Sequence, residues 1–237
     1  MWQSPHRPDT PLELTFRPAT APIDAPVAKL GGRPFWLDEP LWPVSAESGL
    51  PMTFVGQFPL PGPAPRMSYL FITQDDASMA PTFEPEAGEN ALLVQPGGRV
   101  PAFVTGLRQP TGPSLWRRGA TWTDRVPVEL HVDARPFTGA SLSLYHREID
   151  TQEAALRGDT ADDGSGNGLL RRSYAGGKPL FWQPWTTVID PAWQFFFQLD
   201  GAEGCDEDAY ALNFGGGTGY ALLSEDQREG RFFWDCV

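Results

Sequence analysis

Two short phrases of similar composition carry the polar side chains best suited to a binding site. Residues 30–36 and 175–182 both run Gly-Gly, a cation, Pro and then aromatic residues, and each precedes an apolar stretch that ends in Gln. Polar groups that converge in a cleft between two halves are typical of ligand sites and active sites. A glutamine amide can equally satisfy the main chain of a loop, so both interpretations of the glutamines stay open. The candidates for this cleft are Arg33, Gln57, Lys178 and Gln198.

An acidic stretch in the second half of the chain is the other candidate site. A run of like charge is typical of solvated surface, and it is also typical of a docking face for a basic protein. Both interpretations stay open. The neighbouring carboxylates disfavour ionisation of Cys205, so we expect no reactive cysteine there. The acidic residues are Asp200, Glu203, Asp206, Glu207 and Asp208.

Patterns that indicate catalysis are weak or missing. The sequence contains no His-Glu-x-x-His, Gly-x-x-x-x-Gly-Lys-Ser/Thr, Gly-x-Ser-x-Gly or Cys-x-x-Cys motif, which disfavours the enzyme classes that depend on them. A general base could be one of the three histidines, but His6, His131 and His146 stand where solvated histidine is typical. We assign no catalytic residue and favour a non-catalytic role.

Two loops share features with ligand-binding loops without meeting their full patterns. Residues 215–219 could hold an anion through main-chain amides, but a strand from Tyr220 follows where a dinucleotide site needs a helix. Asp159, Asp162 and Asp163 lack the ligand ladder and distal Glu of a calcium loop, which favours a flexible connector. We expect no cofactor and no metal. The tryptophans near the repeated phrases could line a carbohydrate or nucleotide pocket, with core packing as the simpler interpretation; they are Trp36, Trp42, Trp182, Trp185 and Trp193.

Charge and composition narrow the classes of partner. The formal net charge of −12 disfavours nucleic acids and anionic membrane surfaces, which attract Lys and Arg. No run approaches the roughly 18 apolar residues that span a bilayer, and the first ten residues lack the apolar segment of a secretory signal. We therefore expect a cytoplasmic protein. Free thiols are the simpler state for Cys205 and Cys236, because spacing alone cannot pair them.

The repeat and the composition together predict the fold class. With 25 Gly and 25 Pro among 237 residues, the chain should form many turns between short strands. We predict a β-rich α+β fold, mainly antiparallel sheets built from two tandem pseudo-repeats, with few short helices. One domain is expected, with a strand and Pro-rich lead-in (1–26), a first pseudo-repeat (27–147), a short helix and flexible connector (148–168), and a second pseudo-repeat (169–237).

Local patterns locate the expected elements. Residues 150–157 are predicted to be helical, with Glu153 in a capping pattern and Gly158 as the left-handed residue at the end. Leu142 and Leu144 alternate with serines, which predicts a strand with one solvent-exposed face. The predicted strands are 12–16, 52–57, 69–72, 91–94, 126–132, 141–144, 194–199, 210–214, 220–223 and 231–234.

Six segments of the chain together form a recognisable pattern: 29–34, 51–57, 89–96, 195–200, 213–220 and 232–236. They resemble the YwqG-like family, a domain family without an established function. The resemblance covers roughly residues 27–237 and implies a duplicated α+β fold but no reaction. Two places depart from the family pattern: residues 182–185 lack an acidic residue that usually follows the Trp-Leu-Gln element, and Gly216 or Gly217 stands where similar sequences often have Asp.

Three functions are compatible with these observations. The first is a non-catalytic protein-binding module with a basic protein partner, in its most concrete form an immunity-type protein that neutralises a basic toxin. The second is a small-ligand-binding protein or enzyme with a cleft between the two pseudo-repeats, and the third is a scaffolding protein. The missing motifs and the negative charge favour the first.

Overall fold

A computed structural model of the protein describes residues 10–74, 80–121, 124–158, 172–183, 192–201, 212 and 214–236. Within these residues the chain forms fourteen strands and one helix, which confirms the predicted β-rich α+β class. In chain order the elements are β1 Leu12–Pro18, β2 Lys29–Gly31, β3 Trp42–Val44, β4 Thr53–Pro59, β5 Met67–Ile72, β6 Asn90–Gln95, β7 Thr105–Leu107, β8 Trp116–Arg118, β9 Arg125–Pro127, β10 Glu129–Pro136, α1 Gly139–Leu156, β11 Tyr174–Ala175, β12 Gln194–Asp200, β13 Thr218–Leu223 and β14 Gly230–Asp235.

One antiparallel sheet of ten strands dominates the structure. Its order is β14-β13-β12-β11-β1-β10-β2-β4-β5-β6, and two small ladders, β3-β7 and β8-β9, lie outside it. The central pair, β1 and β10, is in register from Leu12 opposite Pro136 to Pro18 opposite Leu130. From this centre β11 to β14 extend in one direction, and β2, β4, β5 and β6 extend in the other.

The sheet curls until its two outer strands lie beside each other. A Cβ atom on Gly230 of β14 would collide with the carbonyl oxygen of Leu92 on β6. The enclosed face buries one apolar cluster that draws on both ends of the sheet, and within it the rings of Phe58 and Phe197 are 4.1 Å apart. This burial of apolar area is the main force that stabilises the curled sheet.

The prediction for residues 139–158 was wrong in part. Leu142 and Leu144 belong to α1, which also includes the residues from 150 onward, so the helix begins eleven residues before its predicted start. The alternation of Ser and Leu is ambiguous because Leu142, Tyr145 and Ile149 also recur at the spacing of a helix face; Tyr145 and Ile149 are buried and Leu142 packs against them. Gly158 has φ +76°, which confirms the predicted left-handed end.

Most predicted strands are confirmed, with two differences. The strand predicted at 126–132 is divided into β9 and β10, because Pro127 has no N–H and the Val128 N–H donates outward to the Leu115 carbonyl (2.9 Å). The strand predicted at 210–214 lies mostly outside the described residues, and Phe214 stands in a bend next to Gly215 and Gly216, both with positive φ. The predicted connector after α1 also lies outside them.

Both Gly-Gly pairs turn the chain out of a strand. Gly31 and Gly32 have φ of +65° and +66°, and Gly176 and Gly177 have φ of +74° and +66°. This left-handed conformation is readily accessible only to glycine. A Cβ on Gly32 would also collide with the carboxylate of Glu129. The backbone geometry therefore explains why both phrases contain two consecutive glycines.

Gln57 and Gln198 are fully buried and make matching hydrogen bonds to the main chain. The Gln57 oxygen accepts the Phe35 N–H (2.7 Å), and its NH₂ donates to the Val27 carbonyl (2.9 Å). The Gln198 oxygen accepts the Leu180 N–H (3.3 Å), and its NH₂ donates to the Arg172 carbonyl (3.1 Å). In both cases the N–H lies four residues after the first Gly of the Gly-Gly pair, and the carbonyl lies four residues before it.

Two tyrosines extend this correspondence. Tyr69 lies opposite Gln57 on the next strand, and Tyr220 lies opposite Gln198. Their hydroxyls donate to the carbonyl oxygens of Phe35 (2.8 Å) and Leu180 (2.7 Å). Matching contacts of this kind are what a duplication produces, and they support the pseudo-repeats, which stay a prediction.

Replacing the Gln57 amide by an apolar group tests its contribution to stability. Gln57→Leu leaves the Phe35 N–H and the Val27 carbonyl without a partner, so the free energy of unfolding should fall by about 2 to 3 kcal/mol in urea denaturation. Gln95→Leu is the control, because its amide makes exposed hydrogen bonds to residues 38 and 39. An equal loss in both variants would contradict the role given to Gln57.

The buried tyrosines predict a loss of stability at alkaline pH. Burial raises the pKa of Tyr69, Tyr174 and Tyr220, so these phenols stay protonated while those of the unfolded chain ionise near pH 10. Their stabilisation is complete below that pH, and each should lose about 1.4 kcal/mol per pH unit above it. In urea denaturation from about pH 9 to about pH 11.5, Tyr220→Phe should show a shallower decline than the unsubstituted protein. Identical slopes would contradict this assignment.

Candidate functional site

A groove of about 1450 Å³ is the site that these elements build. Three segments form its walls: residues 22–24 of the lead-in, the loop after β2, and residues 110–116. Every lining residue lies between Pro22 and Glu129, so the groove belongs to the lead-in and the first predicted pseudo-repeat. The start of β4 contributes Thr53, and Thr73 follows the end of β5.

A buried ion pair holds the lead-in wall. The Lys29 ammonium donates to the Glu129 carboxylate (2.7 Å) and to the Ile23 carbonyl (2.7 Å), and the same carboxylate accepts the Ile23 N–H (3.2 Å). The Lys29 side chain is 1% exposed and that of Glu129 is 17% exposed. The glycine at position 32 leaves the space that this carboxylate occupies. The pair thereby connects β2, β10 and the lead-in.

The loop after β2 forms the second wall. Gln57 holds the Phe35 N–H, while the Tyr69 hydroxyl donates to the Phe35 carbonyl and accepts the Leu37 N–H (3.0 Å). These bonds fix the main chain on both sides of Trp36. The loop presents Trp36 and the exposed Arg33 to the groove.

The third wall is joined by hydrogen bonds to the second wall and to β4. The Trp36 indole N–H donates to the Pro110 carbonyl (3.0 Å), and the Phe54 N–H donates to the Pro113 carbonyl (2.9 Å). Trp116 carries the Arg125 guanidinium 4.5 Å above its ring. Prolines, whose φ angle is fixed, restrict the mobility of the walls; they are Pro22, Pro34, Pro51, Pro110, Pro113 and Pro127.

The charge of the groove differs in sign from that of the chain. Three cations line it, Lys29, Arg33 and Arg125, against two carboxylates, Asp24 and Glu129. The chain as a whole has a formal net charge of −12. A groove with a net positive charge in an acidic protein favours a ligand that carries an anionic group.

The four residues of the predicted cleft do not share this groove. Arg33 lines it, whereas Gln57 and Gln198 are buried and their amides are hydrogen-bonded to main chain. This agrees with the second interpretation of the glutamines, in which they satisfy the main chain of loops. Lys178 is exposed and pairs with Glu153 of α1, which raises the pKa of the lysine. A ligand could reach either glutamine amide only by displacing its main-chain partners.

A second cavity, of about 570 Å³, lies between parts of both predicted halves. Residues 83–86 line one side, and Gln183 with residues 233–235 lines the other. The Asp235 carboxylate accepts the Gln183 N–H (3.1 Å), and burial raises the pKa of this carboxyl. None of the four predicted cleft residues lines this cavity.

The acidic stretch is described at only one position. Asp200 ends β12 and is buried, 7% exposed, so it does not contribute an exposed charge. Glu203, Asp206, Glu207 and Asp208 lie outside the described residues, as does Cys205, and the docking face stays a prediction. Cys236 is partly buried and is a free thiol.

The remaining candidates separate into surface and core. His146 is exposed on α1, His131 is half-buried on β10, and His6 lies outside the described residues. Trp42 is buried, and its indole N–H donates to the Met52 carbonyl (2.8 Å), as core packing predicts. Trp185 and the aspartates at 159, 162 and 163 are not among the described residues. In the part of the chain that is described, no group of three or more His, Cys, Asp or Glu side chains is arranged to hold a metal.

Sequence reasoning missed most of the groove. Trp116, Arg125, the Lys29–Glu129 pair and the lead-in residues were not predicted as site residues. One signal was present in the sequence: residues 116–118 and 125 gather a tryptophan and three arginines in an otherwise acidic chain. The pairing of Lys29 with Glu129 has no local signal, because 100 residues separate them.

Comparison with known proteins leaves the site to be interpreted from its own geometry. The chain matches no protein-family model, no curated protein and no solved structure. Among the described residues no helix is long and apolar enough to cross a membrane.

Breaking the buried ion pair should be costly. Lys29→Met leaves the Glu129 carboxylate without its cation, and the free energy of unfolding should fall by about 3 kcal/mol. Adding Glu129→Gln should recover part of this loss, because the second change removes the unpaired charge. The control is Arg17→Met, which removes one partner of the exposed Arg17–Asp133 pair (3.7 Å) and should cost under about 0.5 kcal/mol. Strictly additive losses at positions 29 and 129 would contradict the pairing.

Proposed function

We propose that this protein is a non-catalytic binding protein that takes an extended segment of a partner protein into the groove. The observation that carries the proposal is a groove of about 1450 Å³ with aromatic and charged walls. Small-molecule pockets usually measure about 300 to 1000 Å³, so this volume suits a peptide segment better than a small metabolite. The non-catalytic part rests on the catalytic motifs that the sequence lacks.

The construction of the walls supports this proposal. Their main chain is tied by Gln57, Tyr69 and the Lys29–Glu129 pair, and six prolines restrict it further. A site that is already ordered loses little conformational entropy on binding, which improves affinity. Trp36 and Trp116 supply the residue type that most often dominates binding energy at protein interfaces.

The partner that we propose is basic overall. The formal net charge of −12 attracts a basic protein at long range and accelerates its encounter. An immunity-type protein that neutralises a basic toxin is the most concrete form of this function, and membership of the YwqG-like family remains part of the proposal. The cavity of about 570 Å³ between the two predicted halves supports a second candidate, a small-ligand site at that position.

Filling the groove should weaken partner binding. The partner is first captured from a cell lysate at about 50 mM salt, identified by mass spectrometry, purified and titrated by calorimetry. Thr111→Trp places a bulky ring at an exposed position of the groove and should weaken binding at least about tenfold. Thr151→Trp, at an exposed position of α1, is the matched control and should bind as the unsubstituted protein does.

Two outcomes would contradict the proposal. Equal affinity in the two tryptophan variants would locate the interface away from the groove. Affinity that does not change between about 50 and about 500 mM salt would contradict the basic partner, since attraction between exposed charges is screened by salt.

A further inference from the structure

We infer that the segment entering the groove carries a carboxylate that pairs with Arg33, next to an apolar or aromatic side chain that packs against Trp36. This inference rests on the proposed function, because it names the chemistry of the segment that the groove accepts. Three observations support it: the Arg33 guanidinium has no ion pair with a described residue, the main chain on both sides of Arg33 is ordered, and the groove has a net positive charge.

Arg33 is the cation of the groove that has no partner within the described part of the chain. Lys29 is occupied by Glu129 and Ile23, and Arg125 lies over Trp116. The Arg33 guanidinium is exposed and makes no hydrogen bond or ion pair with a described residue. Five arginines elsewhere are paired with carboxylates, namely Arg17, Arg99, Arg108, Arg172 and Arg231.

The main chain around Arg33 is rigid on both sides. Gly32 before it is held in the left-handed conformation, and its N–H donates to the Val128 carbonyl (3.0 Å). Pro34 after it is buried and has a fixed φ angle. The main chain that carries Arg33 is thus ordered before a partner binds, so binding does not have to order this part of the backbone.

The surrounding charges select a carboxylate over a more highly charged anion. One guanidinium can bind one carboxylate through two parallel hydrogen bonds. The three cations and two carboxylates that line the groove leave one net positive charge, which a carboxylate neutralises, whereas a phosphate carries nearly two negative charges at neutral pH. The apolar neighbour in the segment is expected because Trp36, three residues after Arg33 in the same loop, lines the groove and is only partly buried. The ring centroids of Tyr69, Phe71 and Trp42 lie 4.7, 6.2 and 6.3 Å from that of Trp36.

A random peptide library tests the inference directly. A displayed library of dodecapeptides is selected against the full chain, against Arg33→Glu and against Arg147→Glu. Arg147 is the matched control, because it is exposed on α1, outside the groove, and its guanidinium makes no hydrogen bond or ion pair with a described residue. Thermal unfolding of each variant confirms that it folds, and Arg33→Met serves as a second variant that removes the charge without reversing it.

The expected result is a change of charge preference at one position of the bound peptide. The full chain and Arg147→Glu should enrich Asp or Glu beside an aromatic residue, while Arg33→Glu should lose this preference and enrich Lys or Arg. A synthetic selected peptide should bind about fivefold less tightly when its acidic residue is replaced by the amide or by phosphoserine, and the amide effect should vanish in Arg33→Met.

Two results would overturn the inference, and they can be told apart. If the selected peptides are blocked by Thr111→Trp but show no acidic preference, or if Arg33→Glu selects the same sequences, the carboxylate is wrong and the groove remains a peptide site. If no peptide is enriched above an unrelated acidic protein, both the carboxylate and the proposed function are wrong.

Discussion

The side-chain amide of Gln57 fixes two walls of the groove at once. Its oxygen accepts the N–H of Phe35 in the loop that presents Arg33 and Trp36, and its NH₂ donates to the carbonyls of Ala25 (3.1 Å), at the end of the lead-in, and of Val27, just after it. A side-chain amide suits this position because it can accept and donate at once. The buried amide on β4 thereby satisfies main-chain groups of the loop and the lead-in that are outside the strands.

Charge is distributed in the structure so that the groove differs from the rest of the protein. Glu129 neutralises the buried Lys29, whereas the exposed guanidinium of Arg33 makes no ion pair with a described residue. In the function that we propose, the negative net charge attracts a basic protein at long range, and the groove binds one acidic segment of that protein at short range. Long-range attraction raises the rate of encounter, whereas local complementarity lengthens the lifetime of the complex.

The sequence was sufficient for features that depend on local chemistry. Short apolar runs and period-two patterns located most of the long strands, and Gly158 marked the positive φ at the end of α1. The strand predicted from the Ser-Leu alternation at 141–144 was wrong because Leu142, Tyr145 and Ile149 also recur at the spacing of a helix face, and packing decides between the two patterns. The groove could not be predicted, because residues 22–24 and 110–116 meet only after β2, β4 and β10 have paired.

The most direct test of the account is a crystal structure of the protein with the partner captured from the lysate. The account predicts an extended partner segment between the lead-in and residues 110–116, with a carboxylate oxygen within hydrogen-bond distance, about 3 Å, of the Arg33 guanidinium. A complex in which the partner contacts another surface and the groove contains only solvent would contradict it.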